Sequence, residues 1–408
     1  MNAARQLDPA RLAARHPLGV GQVARPSDSK GEGVNSAVNG RGPRATAELC
    51  DAFQADALQR TLLPLRPGLR LAAIGPNAAV ARLDAYSGEP PHAVSLLEGL
   101  RQRFGLGVRH AQGVRLSVGE DWWGDEVRMA PPEVDEPLIQ QAEQLARECD
   151  VGLFAAGDDE RTCPEPWAAH HLGDRAELSL PGRQQALFDR LVATGTPVVV
   201  ILIHGRPVTE PRLYEQATAV VEAWTLGQAG GTALARVPAG DVNPGGKLPL
   251  SLLRGVGQLP CHYNHKPSAR RGYLFGDVQA LYPFGFGLSY ARFEISAPQL
   301  DRPVLDREGA VQVEFAVHNC GERAGDEVLQ LDARPLRPSV TQPVLALKAF
   351  RRVHLQAGER QIVRLTLRAA QLALWNEAMQ RIVEPGEYEL LTSNSSQNLQ
   401  AVSLFIQP

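Results

Sequence analysis

Residues 198–203 read VVVILI, an uninterrupted apolar run that is typical of a strand buried on both faces of a parallel sheet. Similar short apolar runs occur at 71–74, 151–156 and 219–224. Longer amphipathic segments separate these runs, at 94–104, 137–148 and 183–193. Strands that alternate with helices in this way predict an α/β domain, an open αβα sandwich with a mostly parallel sheet.

The pattern changes after Tyr290, where segments of period two replace the helical segments. Residues 311–317 and 361–367 alternate apolar and polar side chains, as strands do when only one face is buried. Turn-forming residues at 319–321 and 357–358 divide this region at intervals typical of a β-sandwich. The sequence therefore predicts a second, all-β sandwich of roughly 100 residues after the α/β domain.

These patterns divide the chain into four parts. Residues 1–44 lack sustained periodicity and are expected to be a disordered tail. Apolar side chains recur every three or four residues between Thr46 and Thr61, which predicts a helix that ends before Pro64. We therefore expect a helical linker at 45–67, the α/β domain at 68–290 and the β-sandwich at 291–408.

Charge and composition argue against several classes of function. The 408 residues carry 42 basic and 45 acidic side chains, a formal net charge of -3, so no strong field attracts nucleic acid or an anionic membrane. No apolar stretch reaches the roughly 18 to 20 residues of a membrane span, and residues 1–14 lack the apolar core of a secretion signal. The five cysteines have no paired spacing, which suits reduced thiols. We expect no nucleic-acid or membrane partner and, for the sequence as written, a cytoplasmic location.

The loop after the apolar run 151–156 carries the most polar side chains. In an open α/β sheet, ligands bind at the loops that follow the carboxyl ends of the strands. This loop reads GDDERTCPEPW over residues 157–167. Its carboxylates suit general acid chemistry, and Trp167 could face a sugar ring or raise the pKa of a neighbouring carboxyl by desolvation. The alternative is a solvated surface loop. Asp174 and Arg175, further on, are interpreted as a structural pair.

The sequence predicts neither a cofactor nor a metal ion. It contains no G-x-G-x-x-G or G-x-x-x-x-G-K-[ST] phosphate loop and no G-x-S-x-G elbow. Two groups of neighbouring residues include side chains that ligate metals, although neither has the spacing of an established zinc site. They are Cys163 with His170, His171 and Asp174, and His262 with His265.

Motifs along the α/β region resemble those of one known family. They read IGPN (74–77), YSG (86–88), LPGRQ (180–184), EAW (222–224), GDVNPGGKLP (240–249) and YPFGFGLSY (282–290). In order and spacing they resemble the second domain of glycoside hydrolase family 3, the β-glucosidases, β-xylosidases and their relatives. The β-sandwich resembles the fibronectin type III-like domain that ends many members, through NCG (319–321), AGDEV (324–328) and LKAF (347–350).

The resemblance implies a retaining hydrolysis of a β-glucoside or β-xyloside, in which one carboxylate attacks the anomeric carbon and a second carboxyl group protonates the departing oxygen. In the family, the nucleophile is an aspartate of an N-terminal (β/α)8 barrel, and the acid/base is a glutamate from a loop of the second domain. Residues 163–167 resemble that loop. Glu165 is therefore the candidate acid/base, Glu160 is the runner-up, and Trp167 is the candidate substrate-binding residue.

The front of the sequence departs from the family pattern. A (β/α)8 barrel needs roughly 200 to 250 residues, and 61 residues precede Leu62 here. We therefore expect the C-terminal part of a β-glucosidase-like hydrolase that is inactive alone and active only when another chain supplies the barrel. The expected partners are a separate barrel domain or further copies of the chain in a homo-oligomer. The alternative is a non-catalytic module that binds carbohydrate or protein, or a gene remnant. Family members are often periplasmic or secreted, which leaves the compartment open.

Overall fold

The computed structural model describes residues 54–56, 62–83, 86–88, 90–119, 127–166, 173–269 and 272–408. In its first part the described strands are β1 (Gln54–Asp56), β2 (Leu71–Ile74), β3 (Arg109–Ala111), β4 (Ser117–Val118), β5 (Arg128–Met129), β6 (Val151–Gly157), β7 (Val198–Ile203) and β8 (Ala219–Glu222). Six of these strands form one sheet in the order β1-β8-β7-β6-β2-β3, while β4 pairs only with β5. All neighbours in the six-stranded sheet are parallel except β1 and β8.

Helices cover both faces of this sheet. They are α1 (Leu96–Phe104), α2 (Pro132–Arg147), α3 (Gln184–Ala193), α4 (Pro211–Gln216) and α5 (Gly230–Arg236), and a 3-10 turn follows at Val256–Gln258. Residues of α1 and α5 share one apolar core with the sheet, and residues of α2, α3 and α4 share the other. None of the helices in the described ranges combines the length and hydrophobicity needed to cross a membrane.

The central strand β7 shows why the sheet must lie between two layers. All six of its residues are buried. Val198, Val200 and Leu202 pack into the core formed with α2, α3 and α4, whereas Val199 and Ile201 pack into the core formed with α1 and α5. Because successive side chains of a strand point to opposite faces, an apolar run of this length needs a helix layer on each side. The predicted αβα sandwich is confirmed.

The three helices predicted within the α/β region are present, but one of them begins earlier than expected. Helix α2 begins at Pro132, not at Pro137. A proline is favourable at the first helical position because its missing N–H has no intrahelical partner there. Asp135, in the first turn, is buried and accepts a hydrogen bond of 3.0 Å from the backbone N–H of Arg115. This contact fixes the first turn, and the helix continues through Pro137.

The prediction of a helix over 46–61 is wrong where the structure describes it. Residues Gln54–Asp56 form a strand that pairs antiparallel with β8. An edge strand of a sheet offers a row of unpaired backbone groups, and pairing with them competes with the local helical preference of this segment. Residues 62–67 are not helical either. The remainder of that prediction and the predicted tail at 1–44 lie outside the described residues.

The second part of the chain is the predicted all-β sandwich. Its strands are β9 (Phe293–Ile295), β10 (Gln299–Leu300), β11 (Val304–Leu305), β12 (Ala310–Asn319), β13 (Gly325–Pro335), β14 (Ala346–Leu355), β15 (Arg360–Arg368), β16 (Leu374–Trp375), β17 (Arg381–Ile382), β18 (Gly386–Ser393) and β19 (Gln400–Ile406), with a 3-10 turn at Ala369–Leu372. One sheet has the order β10-β12-β15, with β9 also paired to β12, and the other has the order β11-β19-β18-β13-β14. The inward-facing residues of both sheets form one apolar core.

Contacts between polar and aromatic side chains join the two parts. Lys247 Nζ lies 2.7 Å from Glu327 Oε1, and both side chains are almost fully buried. Within the first part, the ring of Tyr263 stacks on Phe284, with 4.4 Å between the ring centroids. The hydroxyl of Tyr263 accepts a hydrogen bond of 3.2 Å from the backbone N–H of Leu347 in β14.

Asp332 of β13 is fully buried near this junction. Neither of its carboxylate oxygens has a hydrogen-bond partner in the part of the chain that the structure describes. Burial raises the pKa of Asp332 to about 7, and the ammonium of Lys348 opposes this shift. Below about pH 7 the protonated carboxyl is therefore the form that the folded state favours.

We expect Gly99→Ala to destabilise the fold. A Cβ at Gly99 of α1 would lie 2.0 Å from the carbonyl oxygen of Gly231 in α5. Without this clash, alanine would stabilise the helix by about 1 kcal/mol. We expect instead that the free energy of unfolding falls by about 1 to 3 kcal/mol, because the two helix backbones are too close for the added methyl group. Urea unfolding measures the change. Gly107→Ala is the matched control because a Cβ there meets nothing within 4 Å. A more stable Gly99→Ala variant would contradict the packing of α1 on α5.

We expect Asp332→Asn to change the pH dependence of stability. The folded-state pKa of about 7 lies above the value of about 3.9 for an unfolded aspartate. Folding therefore retains a proton, and stability is lost as the pH rises from about 4 through about 7. The asparagine variant cannot ionise, so its advantage over the original chain should be small near pH 4.5 and reach up to about 4 kcal/mol at pH 8.

Urea midpoints at several pH values between 4.5 and 8 test this expectation. The exposed residue Asp306 provides the control variant Asp306→Asn, whose pH profile should follow that of the original chain. Parallel profiles for Asp332→Asn and the original chain would show that Asp332 is ionised in the folded protein.

Candidate active site

Loops that follow β2, β6, β7 and β8 meet at one edge of the sheet. These four strands are parallel and adjacent, so their carboxyl ends lie side by side. The edge is the one at which open α/β sheets bind ligands. The sequence analysis selected one of these loops, the one that follows the apolar run 151–156 and therefore β6.

Asn77 holds three of these loops together. It is fully buried, and its amide nitrogen donates to the backbone oxygens of Asp158, at 3.0 Å, and Ile203, at 3.3 Å. Its Oδ1 accepts a hydrogen bond of 2.8 Å from Nε of Arg82. A buried amide with all these contacts fixes the positions of the loops, because breaking any one of them leaves a polar group without a partner in the interior.

The start of the loop after β6 is held by a second side-chain amide. Gln184 of α3 is buried, and its Oε1 accepts from the N–H of Gly157 while its Nε2 donates to the carbonyl oxygen of Gly157, each at 2.8 Å. Gly157 has φ +136, and a Cβ at this position would meet the carbonyl oxygen of Ile203 at 1.8 Å. Only glycine fits this point, where the chain leaves the sheet.

Asp158 is the first buried carboxylate of the loop. Its Oδ1 accepts a hydrogen bond of 2.6 Å from Nη1 of Arg175, and Arg175 also donates to the carbonyl oxygen of Ser179. Burial raises the pKa of Asp158, while the Arg175 guanidinium opposes the shift. Among the described groups, its Oδ2 has no hydrogen-bond partner.

His204, directly after β7, belongs to a buried polar chain. Its Nε2 lies 2.7 Å from Oε2 of Glu222, and the hydroxyl of Tyr214 donates to Oε1 of Glu222 at 2.6 Å. The His204 ring also contacts Trp224, with 4.9 Å between the ring centroids. These contacts connect His204 to β8 and α4, and so fix the start of the loop after β7. His204 was not selected from the sequence, although its place at the end of an apolar run was an available signal.

Glu160, the runner-up acid/base, is engaged in an ion pair. Its Oε2 lies 2.7 Å from Nη1 of Arg82, and its Oε1 accepts a hydrogen bond of 3.3 Å from the N–H of Leu83. Since Arg82 also binds Asn77, Glu160 connects the loop after β6 to the loop after β2. The geometry gives Glu160 a structural role in the described part of the loop.

Glu165, the leading candidate, has an exposed side chain on a loop whose backbone is held from several sides. Its N–H donates to the hydroxyl of Tyr86 at 3.1 Å. The guanidinium of Arg206, after β7, donates to the carbonyl oxygens of Cys163 and Pro164, each at 3.0 Å from Nη2. Its carboxylate makes no hydrogen bond or ion pair within the described contacts. A fixed backbone with a free carboxyl is an arrangement that can present a proton to a ligand.

Asp174 and Arg175 do not form the structural pair that the sequence suggested. Oδ1 of Asp174 accepts a hydrogen bond of 3.0 Å from Arg206, and its N–H donates to the carbonyl oxygen of Pro164 at 3.1 Å. Arg175 instead pairs with Asp158. The two neighbours point to different partners because Asp174 has a positive φ of 37, which turns the chain between them.

Several predicted site residues lie outside the described residues. These are Trp167, the candidate sugar-binding residue, and the possible metal ligands His170 and His171. Their predicted roles stay predictions.

The described residues form a wall of a site and not a closed sugar pocket. Asp158, Glu160, Cys163 and His204 line a cavity of about 20 Å³, which is room for about one water molecule. A larger cavity of about 320 Å³ lies at Gln258–Cys261 and Tyr273. Its described lining carries no carboxylate, so it offers no carboxyl group for the acid/base role.

Two family models match the chain. The Glycosyl hydrolase family 3 C-terminal domain matches residues 59–290, and the Fibronectin type III-like domain matches residues 327–396. The chain belongs to glycoside hydrolase family 3. The candidate site described above lies within the family domain, at the loop edge of its parallel sheet.

Curated relatives are β-xylosidases and β-glucosidases. A Formosa agariphila protein named Beta-xylosidase is 36% identical over 353 residues, which cover 83% of this chain and 46% of the relative. The Periplasmic beta-glucosidase of Salmonella typhimurium is 33% identical and covers 80% of this chain and 45% of the relative. The chain thus spans about half the length of these relatives.

Solved structures of β-glucosidases have the same fold. A β-glucosidase from Erythrobacter marinus has a TM-score of 0.84 and 37% identity, over 89% of this chain and 50% of the other. A β-glucosidase from Listeria innocua, solved in complex with gluconolactone, has a TM-score of 0.79 and 26% identity, over 90% of this chain and 50% of the other. Here too, about half of the compared protein corresponds to this family 3 chain.

We expect Arg206→Met to loosen the backbone around Glu165. The substitution removes hydrogen bonds to Cys163, Pro164 and Asp174, a loss of about 1 to 2 kcal/mol in local stability. Hydrogen exchange in peptides spanning 158–166 and 173–176 should become about tenfold faster. Arg212→Met is the control, since Arg212 is exposed and reaches only Asp189, at 3.4 Å. Unchanged exchange in Arg206→Met would show that Arg206 does not hold this loop.

Proposed function

We propose that this family 3 chain supplies the acid/base part of a retaining β-glycosidase that acts on β-glucosides or β-xylosides. Membership of the family supports the reaction class, and the names of the relatives support the two sugar classes. The observation that carries the proposal is the exposed carboxyl of Glu165 at the carboxyl edge of the family 3 sheet, on a backbone held by Arg206 and Tyr86.

In this proposal, Glu165 protonates the glycosidic oxygen as the bond to the anomeric carbon breaks, and then removes a proton from the water that releases the sugar. The attacking carboxylate comes from a barrel domain, and the two carboxyl groups lie about 5 to 5.5 Å apart in a retaining enzyme. Packing of the barrel against the loop edge would exclude water from the carboxyl group of Glu165. Trp167 would contact the sugar ring.

The barrel is proposed to come either from a further part of the same polypeptide or from a separate chain. The described wall leaves room for only about one water molecule in its cavity, so a sugar needs a second surface to close the site. We assign the proposed β-sandwich, residues 291–408, a role in supporting the α/β domain, proposed as residues 68–290. The Lys247–Glu327 ion pair at their junction supports that role.

We expect Glu165→Gln to remove acid/base catalysis from the assembled enzyme. The assay uses this chain joined to the half of the Erythrobacter marinus β-glucosidase that this chain does not match, with aryl β-glucosides and β-xylosides as substrates. The loss in kcat/KM should be about 100- to 10,000-fold for a poor leaving group, and much smaller for dinitrophenol, which departs without a proton. Glu177→Gln is the matched control, because Glu177 is an exposed glutamate of the same segment.

Azide provides the second measurement. With Glu165→Gly and a dinitrophenyl glycoside, azide can attack the glycosyl enzyme without a general base, so it should restore turnover and give the β-glycosyl azide. An equal loss for good and poor leaving groups would contradict the role of Glu165. Rescue in Glu160→Gly instead would transfer the role to Glu160. Absence of turnover in the assembled original chain would contradict the proposed function itself.

A further inference from the structure

The β-sandwich contains a cluster of metal-ligating side chains that has no part in the proposed hydrolysis. Glu294 lies in β9, His318 lies near the end of β12, and Cys320 follows that strand. One ligand atom of each residue lies within 4.8 Å of those of the other two, and the described ranges contain no other such group of three or more.

Strand pairing brings these side chains together. Glu294 and His318 are directly opposite each other in the antiparallel pair of β9 and β12. Phe293 and Ile295 pack against the apolar core, so Glu294 faces outward. Val317 is in the same core, so His318 also faces outward. Opposite residues of such a pair have Cβ atoms about 4.5 to 5.5 Å apart, and Cys320 follows His318 at the spacing of side chains on one face.

The donor set determines which ion suits the cluster. A thiolate, an imidazole and a carboxylate are the three ligand types of protein zinc sites, whereas calcium and magnesium prefer oxygen ligands alone. Zinc bonds of about 2.0 to 2.3 Å place tetrahedral ligands roughly 3.3 to 3.7 Å apart. None of the three side chains is buried, so changes of rotamer can close the remaining gap of about 1 Å.

Metal binding at Cys320 requires the loss of the thiol proton and of the present contacts of the sulfur. Its Sγ lies 3.2 Å from both the carbonyl oxygen and the Nε of Arg292. On binding, the thiol proton passes to solvent and the sulfur exchanges its Arg292 contacts for the metal. The thiolate and the Glu294 carboxylate together neutralise a divalent ion. The His318 ring makes no hydrogen bond within the described contacts, so a nitrogen is available.

We propose that Glu294, His318 and Cys320 bind one zinc ion, with water as the fourth ligand. Such an ion joins β9, the first strand after the α/β part, to the end of β12 and therefore secures the edge of the sandwich nearest the junction. The site is independent of the proposed hydrolysis. The sequence predicted no metal because Glu294 is distant in the chain from His318 and Cys320.

Cobalt(II) reports zinc-type thiolate ligation directly. The full chain, reduced and free of oxygen, is titrated with Co(II) while near-ultraviolet and visible absorption are recorded. We expect one ion per chain, an intense sulfur-to-cobalt charge-transfer band, and displacement of the ion by zinc. Cys320→Ser should abolish the band, and His318→Gln and Glu294→Gln should each weaken binding at least about tenfold.

Cys261→Ser is the matched control, because Cys261 is another partly buried cysteine and is adjacent to His262. Its band and affinity should equal those of the original chain. Zinc should also raise the thermal midpoint of the original chain and leave that of Cys320→Ser unchanged. A band that survives in Cys320→Ser or disappears in Cys261→Ser would overturn the proposal, as would absence of binding. Circular dichroism checks each fold, and the exposed Glu294 variant gives a test that does not disturb the core.

Discussion

Burial of both faces of the parallel sheet is the constraint on which the α/β part depends. An apolar strand such as β7 is stable only when helices exclude water from each of its faces, and the two cores show this division residue by residue. Parallel strands with crossover helices place all their carboxyl ends on one edge. Glu165 reaches the candidate site because the loop after β6 starts at that edge.

Buried polar side chains fix the loops at the carboxyl edge of the sheet, because each of them would lower the stability of the fold if it lacked hydrogen-bond partners. Asn77, Gln184 and His204 are buried, and each binds groups from other segments. A buried donor or acceptor without a partner costs about 1 to 3 kcal/mol, so each contact restricts the loops to a small set of positions. The result is a rigid frame in which Glu160 is used for support while Glu165 remains exposed. Rigidity of this kind lowers the cost of orienting a catalytic carboxyl.

The fold could be predicted to the extent that it follows from apolar periodicity. Strand β7 has the bounds that its sequence predicted, and the period-two segments 311–317 and 361–367 lie within the strands β12 and β15. The prediction failed at residues 54–56, where backbone pairing with β8 replaced a helical pattern, and at the start of α2. In both places a contact distant in sequence outweighed the local preference, and such contacts are invisible to a reading of neighbouring residues.

The sequence alone determined the fold class, the family resemblance and the loop that holds the candidate carboxylates, because apolar periodicity and motif spacing are properties of neighbouring residues. Only the tertiary structure decided which carboxylate is committed to a partner. It assigned Glu160 to Arg82, Asp158 to Arg175 and Asp174 to Arg206, and it placed Glu294 opposite His318. An ion pair forms between side chains that are close in space, and strand register and loop conformation determine which side chains are close.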